Sequence, residues 1–449
     1  MPEPKDPRTT HLLKAESSFG WMAGMPSGNA LTYFRGSIDE AHTFLKERLA
    51  AVLTANPWLC ARLVKRDAMH GVAMTWSDEG LAEALSALET NTSAILHLAP
   101  ADLKDKLGLE NPYKDLCRAL TRSKLAVPVG KRCLKESRPL LSLCLIPTGA
   151  SEFAVWLSMS HIIADGYTAY AILNMLLSKD EASVMALEPE RDHSFDTKLA
   201  EAIGPDEKAI LDFSLPGILN ALGSHYFRKT PKALCFRLNT QAIEAEKQAY
   251  LQSHATQGKT PPFISANDIV TSTLGRMLEF TSLYMAMNLR GRIPLNPDAA
   301  EVDRGQGLAG NYESGIFFFE GDFDEPASIR SAQGGTRAGL YQRPPRTNGL
   351  IQPIPGFWKR ALGRPGLVTN WSGWKATFEL PGCDTVLHLP ITELDRPFFE
   401  SAIVFQSRPD EISVLIFSRV IDSMSQVNAF SPIFGAALSS ELFPAGRAL

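Results

Sequence analysis

The sequence predicts an α/β protein with two domains, and three observations support this. Residues 153–159 have the length and the branched and aromatic side chains of a buried strand, and the longer apolar run at 167–177 is typical of a core helix. A chain of 449 residues is too long for one ordinary core, and its length alone favours about two to three domains. Between residues 180 and 207 the sequence becomes charged and loses its periodicity. We therefore place one domain at residues 1–205 and a second at 206–449.

Composition and charge exclude several classes of protein. Hydrophobic residues make up 45% of the chain and charged residues 21%, which is typical of a globular protein with a sizeable core. The formal net charge of -4 and the pI near 6.2 give no general attraction to nucleic acid or to anionic membranes. The N-terminus is polar, and no run reaches the roughly 18 apolar residues of a membrane span. We expect a cytoplasmic protein without a membrane span or a nucleic-acid partner.

The cysteines give no sign of a metal site. They stand at positions 60, 117, 133, 144, 235 and 383, without a CxxC pair or another metal-ligand spacing, and several lie inside apolar strands. We expect buried free thiols and no bound metal.

The elements before the buried strand are also predictable. A short strand at residues 30–34 is followed by Ser37 to Glu40, which has the form of a helix start with a capping box. Asn56-Pro57 ends this helix at about residue 55. Residues 138–146 alternate as a strand, and the turn at 147–149 leads back into the strand at 153–159. These two strands are expected to form a hairpin.

The second half contains the same kinds of element. We predict a helix at residues 240–254 and another from Ser265, where Asp268 completes a second capping box. Residues 282–292 alternate as a strand. Residues 331–366 are dense in Gly, Pro and Arg and are predicted to form a long ordered loop. Two further strands, at 401–406 and 412–419, flank a hairpin turn.

The strongest functional signal is the segment HIIADG after the strand at 153–159. His161 stands at the end of that strand, where a rigid scaffold commonly places catalytic side chains. An imidazole can act as a general base, Asp165 can hold it, and Gly166 leaves room beside them. A bare His and Asp at this spacing are more often surface or core residues without chemistry. A metal site on a helix is another alternative, but Gly166 and the lack of further ligands speak against it.

The complete string SHIIADG resembles the HxxxDG motif of the CoA-dependent acyltransferase superfamily. This superfamily includes chloramphenicol acetyltransferase, the BAHD acyltransferases and the condensation domains of peptide synthetases. Many members have a second His directly before the motif, and Ser160 stands there in this chain. Further segments resemble parts of the family in the same order: NPWLCARLV at 56–64, ISANDIV at 264–270, NLRGR at 288–292 and Gly310-Asn311.

The resemblance implies two similar chloramphenicol-acetyltransferase-like α/β domains, with an active-site channel between them and His161 at its middle. It also implies that His161 deprotonates the acceptor directly, without a covalent acyl-enzyme, and that Asp165 pairs with an arginine. Asn288, Arg290 and Arg292 alternate along the predicted strand and so share one face. Arg290 is the first choice as the partner of Asp165 and Arg292 the second. The alternative is that both arginines are solvated surface charges.

The C-terminal third departs from one branch of the family. Plant BAHD enzymes carry a DFGWG motif there that this chain lacks, and residues 382–384 resemble only a degenerate remnant. Residues 368–371, VTNW, resemble the VTSW-like stretch that precedes the motif. On that match the Trp371 indole N–H is a candidate donor to the oxyanion, with Thr369 nearby. The alternative is that Trp371 is only a core residue.

The predicted function follows from the resemblance. We expect transfer of an acyl group from acyl-CoA to a hydroxyl or amine of a small molecule, by a monomer that uses acyl-CoA as a co-substrate and holds no permanent cofactor. The candidates for contacts with the CoA phosphates, unless they are simply loop charges, are Arg343, Arg346, Lys359, Arg360 and Arg364. The alternatives are a condensation-type enzyme with a carrier-protein-bound donor and a non-catalytic relative that serves as a binding module.

Overall fold

A computed structural model describes most of the chain. It covers residues 6–17, 22–66, 71–104, 106–211, 215–227, 231–257, 261–295, 307–333, 336–337, 340–346, 349, 351–374, 378–392, 400–421 and 423–443. Within these ranges, helices and strands alternate along both halves of the chain.

The strands belong to two large sheets and two small ones. In chain order they are β1 (Arg8–His11), β2 (Gly28–Arg35), β3 (Arg62–Lys65), β4 (Val72–Trp76), β5 (Leu96–Leu98), β6 (Leu141–Pro147), β7 (Glu152–Met159), β8 (Lys232–Leu238), β9 (Ser282–Asn288), β10 (Glu313–Phe319), β11 (Thr336–Arg337), β12 (Leu340–Tyr341), β13 (Pro365–Asn370), β14 (Asp384–Ile391), β15 (Glu400–Arg408), β16 (Glu411–Ser418) and β17 (Phe434–Ala437).

The helices range from single turns to five turns in length. In chain order they are α1 (Lys14–Ser17), α2 (Ile38–Ala55), α3 (Asp78–Glu89), α4 (Ala101–Lys104), α5 (Tyr113–Thr121), α6 (Gly130–Glu136), α7 (Gly166–Leu176), α8 (Phe195–Ile203), α9 (Pro205–Leu211), α10 (Leu215–Phe227), α11 (Thr240–Gln257), α12 (Ala266–Met277), α13 (Pro326–Gln333), α14 (Phe357–Leu362) and α15 (Met424–Phe430).

The first large sheet has five strands in the order β14-β2-β7-β6-β5. β7 lies at its centre, antiparallel to both neighbours, with Trp156 opposite Leu31 of β2 and Cys144 of β6. Side chains of β7 alternate between two cores, so that Val155 faces one core and Trp156 the other. A strand buried on both faces has a strongly specified register, because a slip of one residue would exchange the two faces.

The second large sheet has seven strands in the order β10-β9-β13-β15-β16-β8-β17. Most neighbours are antiparallel, but β13 runs parallel to both β9 and β15. Parallel neighbours need a crossover connection. Helices α13 and α14 lie between β9 and β13 along the chain, and strand β14 of the first sheet lies between β13 and β15. The small sheets contain β1, β4 and β3, and β11 with β12.

Strand β14 belongs to the second half of the chain by sequence and to the first sheet by pairing. It runs antiparallel to β2, with His388 opposite Thr32 and Leu389 opposite Leu31. The first sheet is therefore completed by residues beyond the predicted boundary at 205. The division into 1–205 and 206–449 stays a prediction, and the position of β14 is a feature that it does not describe.

A shared core joins the two large sheets. Leu31, Tyr33 and Trp156 of the first sheet pack in one cluster with Phe405 and Phe417 of the second. On the outer faces, α2 and α7 cover the first sheet, and α12 covers the second. Both sheets are thus covered on two sides, and separating the halves would expose apolar surface to water.

Several local predictions are confirmed. Ser37 caps α2 by accepting a hydrogen bond from the Glu40 N–H at 3.3 Å, and this helix ends at Ala55. Ser265 and Asp268 form the expected capping box of α12. β6 with β7, and β15 with β16, are antiparallel pairs as predicted.

Other local predictions are wrong. The strand predicted at 282–292 ends at Asn288, because residues 290–292 form a turn. The segment 331–366 contains α14, whose good helix formers lie between two glycines, and the short strands β11 and β12. All six cysteines are free, but Cys60 and Cys383 are only half-buried.

Within the described ranges, no helix is long and apolar enough to cross a bilayer, and no group of three His, Cys, Asp or Glu side chains could hold a metal ion.

Candidate active site

The HIIADG segment joins the central strand of the first sheet to a helix. β7 ends at Met159, residues 161–163 form a turn, and α7 begins at Gly166. Asp165 is the N-cap of α7, and its Oδ1 accepts a hydrogen bond from the Thr168 N–H at 2.9 Å. The cap satisfies a helix N–H group that would otherwise lack a partner. The Asp of the motif therefore stabilises the helix as well as the loop.

Asp165 forms a buried ion pair with Arg290. Arg290 Nη1 lies 2.6 Å from Asp165 Oδ2, and neither side chain is more than 1% exposed. The Tyr312 N–H donates to the same oxygen at 3.1 Å, and Arg290 donates to the carbonyls of Leu308 and Gly310 at 2.9 Å each. These bonds offset the cost of removing two charges from water. The pair fixes the start of α7 against the second half of the chain.

Arg292, the second candidate, does not reach Asp165. We expected both arginines on one strand face, but β9 ends at Asn288 and the chain turns at residues 290–292. Arg290 is buried as a result, whereas the Arg292 side chain is exposed. The turn, rather than strand alternation, brings Arg290 to Asp165. The alternative that both arginines are solvated is wrong for Arg290.

His161 has a fixed backbone and a partly exposed side chain. Its carbonyl accepts a hydrogen bond from Asn311 Nδ2 at 3.0 Å. The ring nitrogen Nδ1 is buried and has no hydrogen-bond partner among the residues that the structure describes. Because Nδ1 is buried, Nε2 is the nitrogen that a ligand can reach.

Glu313, at the start of β10, is a second titratable group beside His161. Loss of water around its carboxyl is the largest influence and raises the pKa of Glu313. The charge of His161 lowers this pKa, that of Asp165 raises it and that of Arg290 lowers it. Glu313 is therefore a second acidic group, besides Asp165, whose charge is coupled to that of His161.

A glycine is needed at position 166 because the Trp374 side chain packs directly against it, a contact that the motif does not predict. A Cβ atom at this position would lie 2.4 Å from Cη2 of Trp374, so any other residue would displace the indole. Trp374 stacks on Trp371, with ring centroids 6.2 Å apart, and the Tyr170 ring lies 5.2 Å from the first and 5.7 Å from the second. The three rings form an aromatic wall beside the first turns of α7.

Trp371 and Thr369 are bonded to each other. The Trp371 indole N–H donates to Thr369 Oγ1 at 2.9 Å. The N–H that we expected to face an oxyanion is thus engaged within the protein. The Thr369 hydroxyl accepts this bond and keeps its own O–H, for which the described part of the chain provides no acceptor. The geometry orients the hydroxyl rather than the indole as a donor to a ligand.

A buried histidine on β14 holds the aromatic wall from behind. His388 Nδ1 lies 2.9 Å from Thr32 Oγ1, and its Nε2 lies 2.8 Å from the Tyr170 hydroxyl oxygen, both at hydrogen-bond distance. The ring stacks on Phe378, with centroids 4.4 Å apart. Burial lowers the pKa of His388 to about 3, so this ring is neutral near pH 7. Strands β2 and β14 of the first sheet are joined to α7 at this point.

Two cavities differ in their relation to the motif. The larger, about 870 Å³, is lined by Lys106 and Arg122 among others and contains none of the motif residues. The smaller, about 350 Å³, is lined in part by Tyr167 and Trp374. The Arg290 guanidinium lies 4.6 Å from the Tyr167 ring centroid, and Trp374 covers the motif glycine. The smaller cavity is therefore the one that adjoins the site.

Two of the five candidates for CoA phosphate contacts are unsuitable. Arg343 Nε lies 3.0 Å and Arg346 Nη2 2.6 Å from Oε1 of Glu207, and all three side chains are buried. A guanidinium already paired inside the protein is not available to a phosphate. Lys359 and Arg364 also form ion pairs with glutamates, but neither of these two side chains is buried.

Comparison with known proteins identifies the fold. No protein-family model and no curated protein matches the chain. The solved structure of F. sporotrichioides TRI101 with coenzyme A and T-2 matches at a TM-score of 0.57 and 13% identity, over 96% of this chain and 100% of that one. Polyketide synthase associated protein 5 from Mycobacterium tuberculosis matches at 0.53 and 13%, over 94% and 97%. The chain has the fold of chloramphenicol-acetyltransferase-like acyltransferases and condensation domains.

The condensation-domain side of this fold is represented as well. The first condensation domain of the calcium-dependent antibiotic synthetase matches at a TM-score of 0.54 and 13% identity, over 94% of both chains. The predicted resemblance and the predicted α/β fold with two sheet-bearing halves are therefore confirmed. Asn311 of the second half donates to the His161 carbonyl, and the charge of His161 acts on Glu313, also of the second half. The segment after β7 therefore lies against the second half of the chain.

Some residues of the site were not predicted, and most of them had a weak signal. Glu313 follows the Gly310-Asn311 match by two residues, and Trp374 follows Trp371 by three, so both could have been found by extending those matches. Asn311 was matched, but its bond to the His161 carbonyl was not foreseen. His388 stands in an ordinary apolar strand and gives no local signal.

Proposed function

We propose that the protein transfers an acyl group from acyl-CoA to a hydroxyl or amine of a small molecule, with His161 as the general base. The observation that carries this proposal is the state of the imidazole. Its backbone is held, its Nδ1 is buried without a hydrogen-bond partner in the described part of the chain, and the side chain is partly open. A base needs such an accessible nitrogen on a rigid support.

The reaction requires one proton relay and no enzyme nucleophile. Nε2 of His161 takes the proton from the acceptor hydroxyl or amine as its oxygen or nitrogen attacks the thioester carbonyl. The tetrahedral intermediate collapses, the carbon–sulfur bond breaks, and the leaving thiolate receives the proton from the imidazolium. The products are the ester or amide and free CoA, and the histidine returns to its neutral form.

We assign the oxyanion contact to the Thr369 hydroxyl. The bond from the Trp371 indole orients that hydroxyl, and the remaining O–H is a donor for the negative charge on the carbonyl oxygen. Trp371 then acts by positioning Thr369 and does not itself touch the substrate. This differs from our sequence-based expectation, which gave the donor role to the indole.

The donor is assigned to acyl-CoA rather than to a carrier protein. This assignment is supported by F. sporotrichioides TRI101, which was solved with coenzyme A. The match covers 96% of this chain and 100% of TRI101. A carrier-protein-bound donor is the second candidate, because a condensation domain matches comparably well. A cytoplasmic location and a monomeric state rest on the sequence alone and stay predictions.

A mass-spectrometric screen tests this proposal. Purified protein is incubated with a panel of acyl-CoAs and a pool of alcohols and amines, and new esters, amides and free CoA are measured. His161→Ala should lower the rate of product formation by about 10²–10⁴-fold, whereas Ser160→Ala, which removes the neighbouring buried hydroxyl, should preserve it. Transfer by His161→Ala at the wild-type rate would refute the mechanism. Transfer only from a carrier-bound thioester would select the condensation-type alternative, and binding without transfer would select the binding module.

A further inference from the structure

A second buried ion pair lies behind the loop that carries His161. Arg191 Nε is 3.0 Å from Oε2 of Glu16, and both side chains are fully buried. The Glu16 carboxylate also accepts the Leu13 N–H at 2.8 Å, the Asn311 N–H at 3.0 Å and Asn311 Nδ2 at 2.9 Å. Four donors surround this carboxylate, so its charge is fully compensated inside the protein.

Arg191 contacts the backbone of the motif directly, and Glu16 is linked to it through Asn311. Arg191 Nη2 donates to the Ile163 carbonyl at 3.1 Å. Asn311 Nδ2 donates to Glu16 at 2.9 Å and to the His161 carbonyl at 3.0 Å. Two of the three carbonyls in the turn at 161–163 are thereby fixed by groups that depend on the Glu16 charge.

Gly310 connects this pair with the Asp165–Arg290 pair. A Cβ atom at Gly310, whose φ is +125°, would lie 2.6 Å from Cζ of Arg191. The Gly310 carbonyl accepts a hydrogen bond from Arg290 Nη2 at 2.9 Å and one from the Asp165 N–H at 3.2 Å. A residue without a side chain is needed for the Arg191 guanidinium to approach this point, while the Gly310 carbonyl binds Arg290.

We infer that Glu16 and Arg191 are positioning residues for His161. This inference rests on the proposed role of His161 as the base. Neither side chain is exposed, so they act through the backbone of the turn at 161–163 and not on the substrate. A displacement of about 1 Å at a catalytic group can reduce a rate by about 10²-fold. Glu16 therefore holds the motif at His161 through Asn311, and Arg191 holds it at Ile163. Arg290 holds it at Asp165.

The central experiment compares two buried ion pairs. Glu16→Gln keeps the shape of the side chain and removes its charge. We expect kcat to fall by about 10- to 10²-fold, with the KM of both substrates nearly unchanged, because the base is displaced while the binding surfaces remain. Glu207→Gln is the matched control, since it breaks the buried pairs with Arg343 and Arg346 in a part of the fold that does not contact the motif. It should lose stability and keep kcat, when all variants are assayed well below their unfolding temperatures.

A second readout does not depend on acyl transfer. The rate at which diethyl pyrocarbonate modifies His161 is measured by peptide mass spectrometry. It should change in Glu16→Gln and in Asn311→Ala, which removes the bonds from the Asn311 side chain to the His161 carbonyl and to Glu16, and stay constant in Glu207→Gln. If wild type transfers no acyl group, the proposed function fails and this readout still tests the positioning role. If Glu16→Gln does not fold, Asn311→Ala decides. Wild-type kcat and wild-type modification rate in the folded variants would overturn the inference.

Discussion

His161 and His388 are the same residue in opposite surroundings. His161 follows the central strand of the first sheet, has a partly exposed side chain, and its ring makes no hydrogen bond within the described ranges. His388 is fully buried, and both of its nitrogens lie at hydrogen-bond distance from hydroxyl groups. Water and partners, rather than residue type, decide whether an imidazole can take up a proton. The first ring suits proton transfer, and the second serves packing.

The largest expected effect is a loss of activity when His161 is replaced, whereas replacement of His388 should reduce stability. His161→Ala should lower kcat by about 10²–10⁴-fold and leave the free energy of unfolding unchanged, because its ring supports no bond within the fold. His388→Ala should instead leave Thr32 and Tyr170 unsatisfied in the core, at about 1–3 kcal/mol for each. Kinetics and urea unfolding of both variants check this. A loss of stability in His161→Ala as large as in His388→Ala would break the comparison.

The second effect concerns the stability of the fold, because Asp165 places a buried ion pair in the loop that carries His161. The comparison is therefore not one of activity at His161 against stability at His388 alone. Asp165→Asn leaves Arg290 buried without its counter-ion, at a cost of roughly 3–5 kcal/mol, and activity should fall with stability. A double-mutant cycle with Arg290→Gln should therefore reveal strong coupling. The control cycle uses Arg292→Gln, at the exposed neighbour, and should be additive within about 0.5 kcal/mol. Additivity in both cycles would contradict the role assigned to the pair.

A smaller effect concerns the donor to the oxyanion. Thr369→Val keeps the shape of the side chain and removes the hydroxyl, so kcat should fall by about 10²–10³-fold with little change in KM. Trp371→Phe removes the bond that orients this hydroxyl and keeps an aromatic ring in the wall, so it should cost less. Thr369→Ser is the control, because it retains the O–H group. A larger loss in Trp371→Phe than in Thr369→Val would return the donor role to the indole.

The last expected effect is a pH dependence of stability that the buried His388 ring should produce. Unfolding frees His388 to titrate near 6.5, the ordinary value for His, whereas burial in the fold lowers its pKa to about 3. Between these values the unfolded state binds a proton that the folded state does not, so stability falls as the pH drops from about 6.5 towards 3. The slope is up to about 1.4 kcal/mol per pH unit.

A matched variant isolates this contribution from that of the acidic residues. In His388→Gln the group that titrates is absent, so the difference in unfolding free energy between wild type and variant should shrink as the pH falls below about 6.5. The measurement is urea unfolding at several pH values. A constant difference over this range would mean that His388 is not held neutral by the fold.

The sequence predicted the parts of the site that are close together in the chain. The strand, turn and helix around His161 follow from local periodicity, and the Asp165 cap lies three residues from the N–H that it binds. The pairing with Arg290 came from a resemblance, and its stated basis, strand alternation, was wrong because β9 ends at Asn288. A turn that brings one arginine inward leaves no signature in the spacing of side chains.

Contacts between distant segments were not predictable. Glu16 and Arg191 are 175 positions apart, and Thr32 and His388 are 356 apart, so no local pattern links them. The polar character of Arg343 suggested a phosphate contact, but only the fold reveals the buried Glu207 beside it. Charged residues satisfied inside a protein resemble surface charges when only the chain is known.

Strand β14 comes from the second half of the chain and completes the first sheet, so the first half depends on the second for its edge. Without it, the backbone of β2 would lose its partner on one side, and a bare strand edge of this kind invites pairing between molecules. A fragment that stops at residue 205 should therefore aggregate, unless a peptide spanning Asp384–Ile391 is added in trans to close the edge. During synthesis the first sheet also stays open until residue 391 has left the ribosome, so early chains need protection from one another.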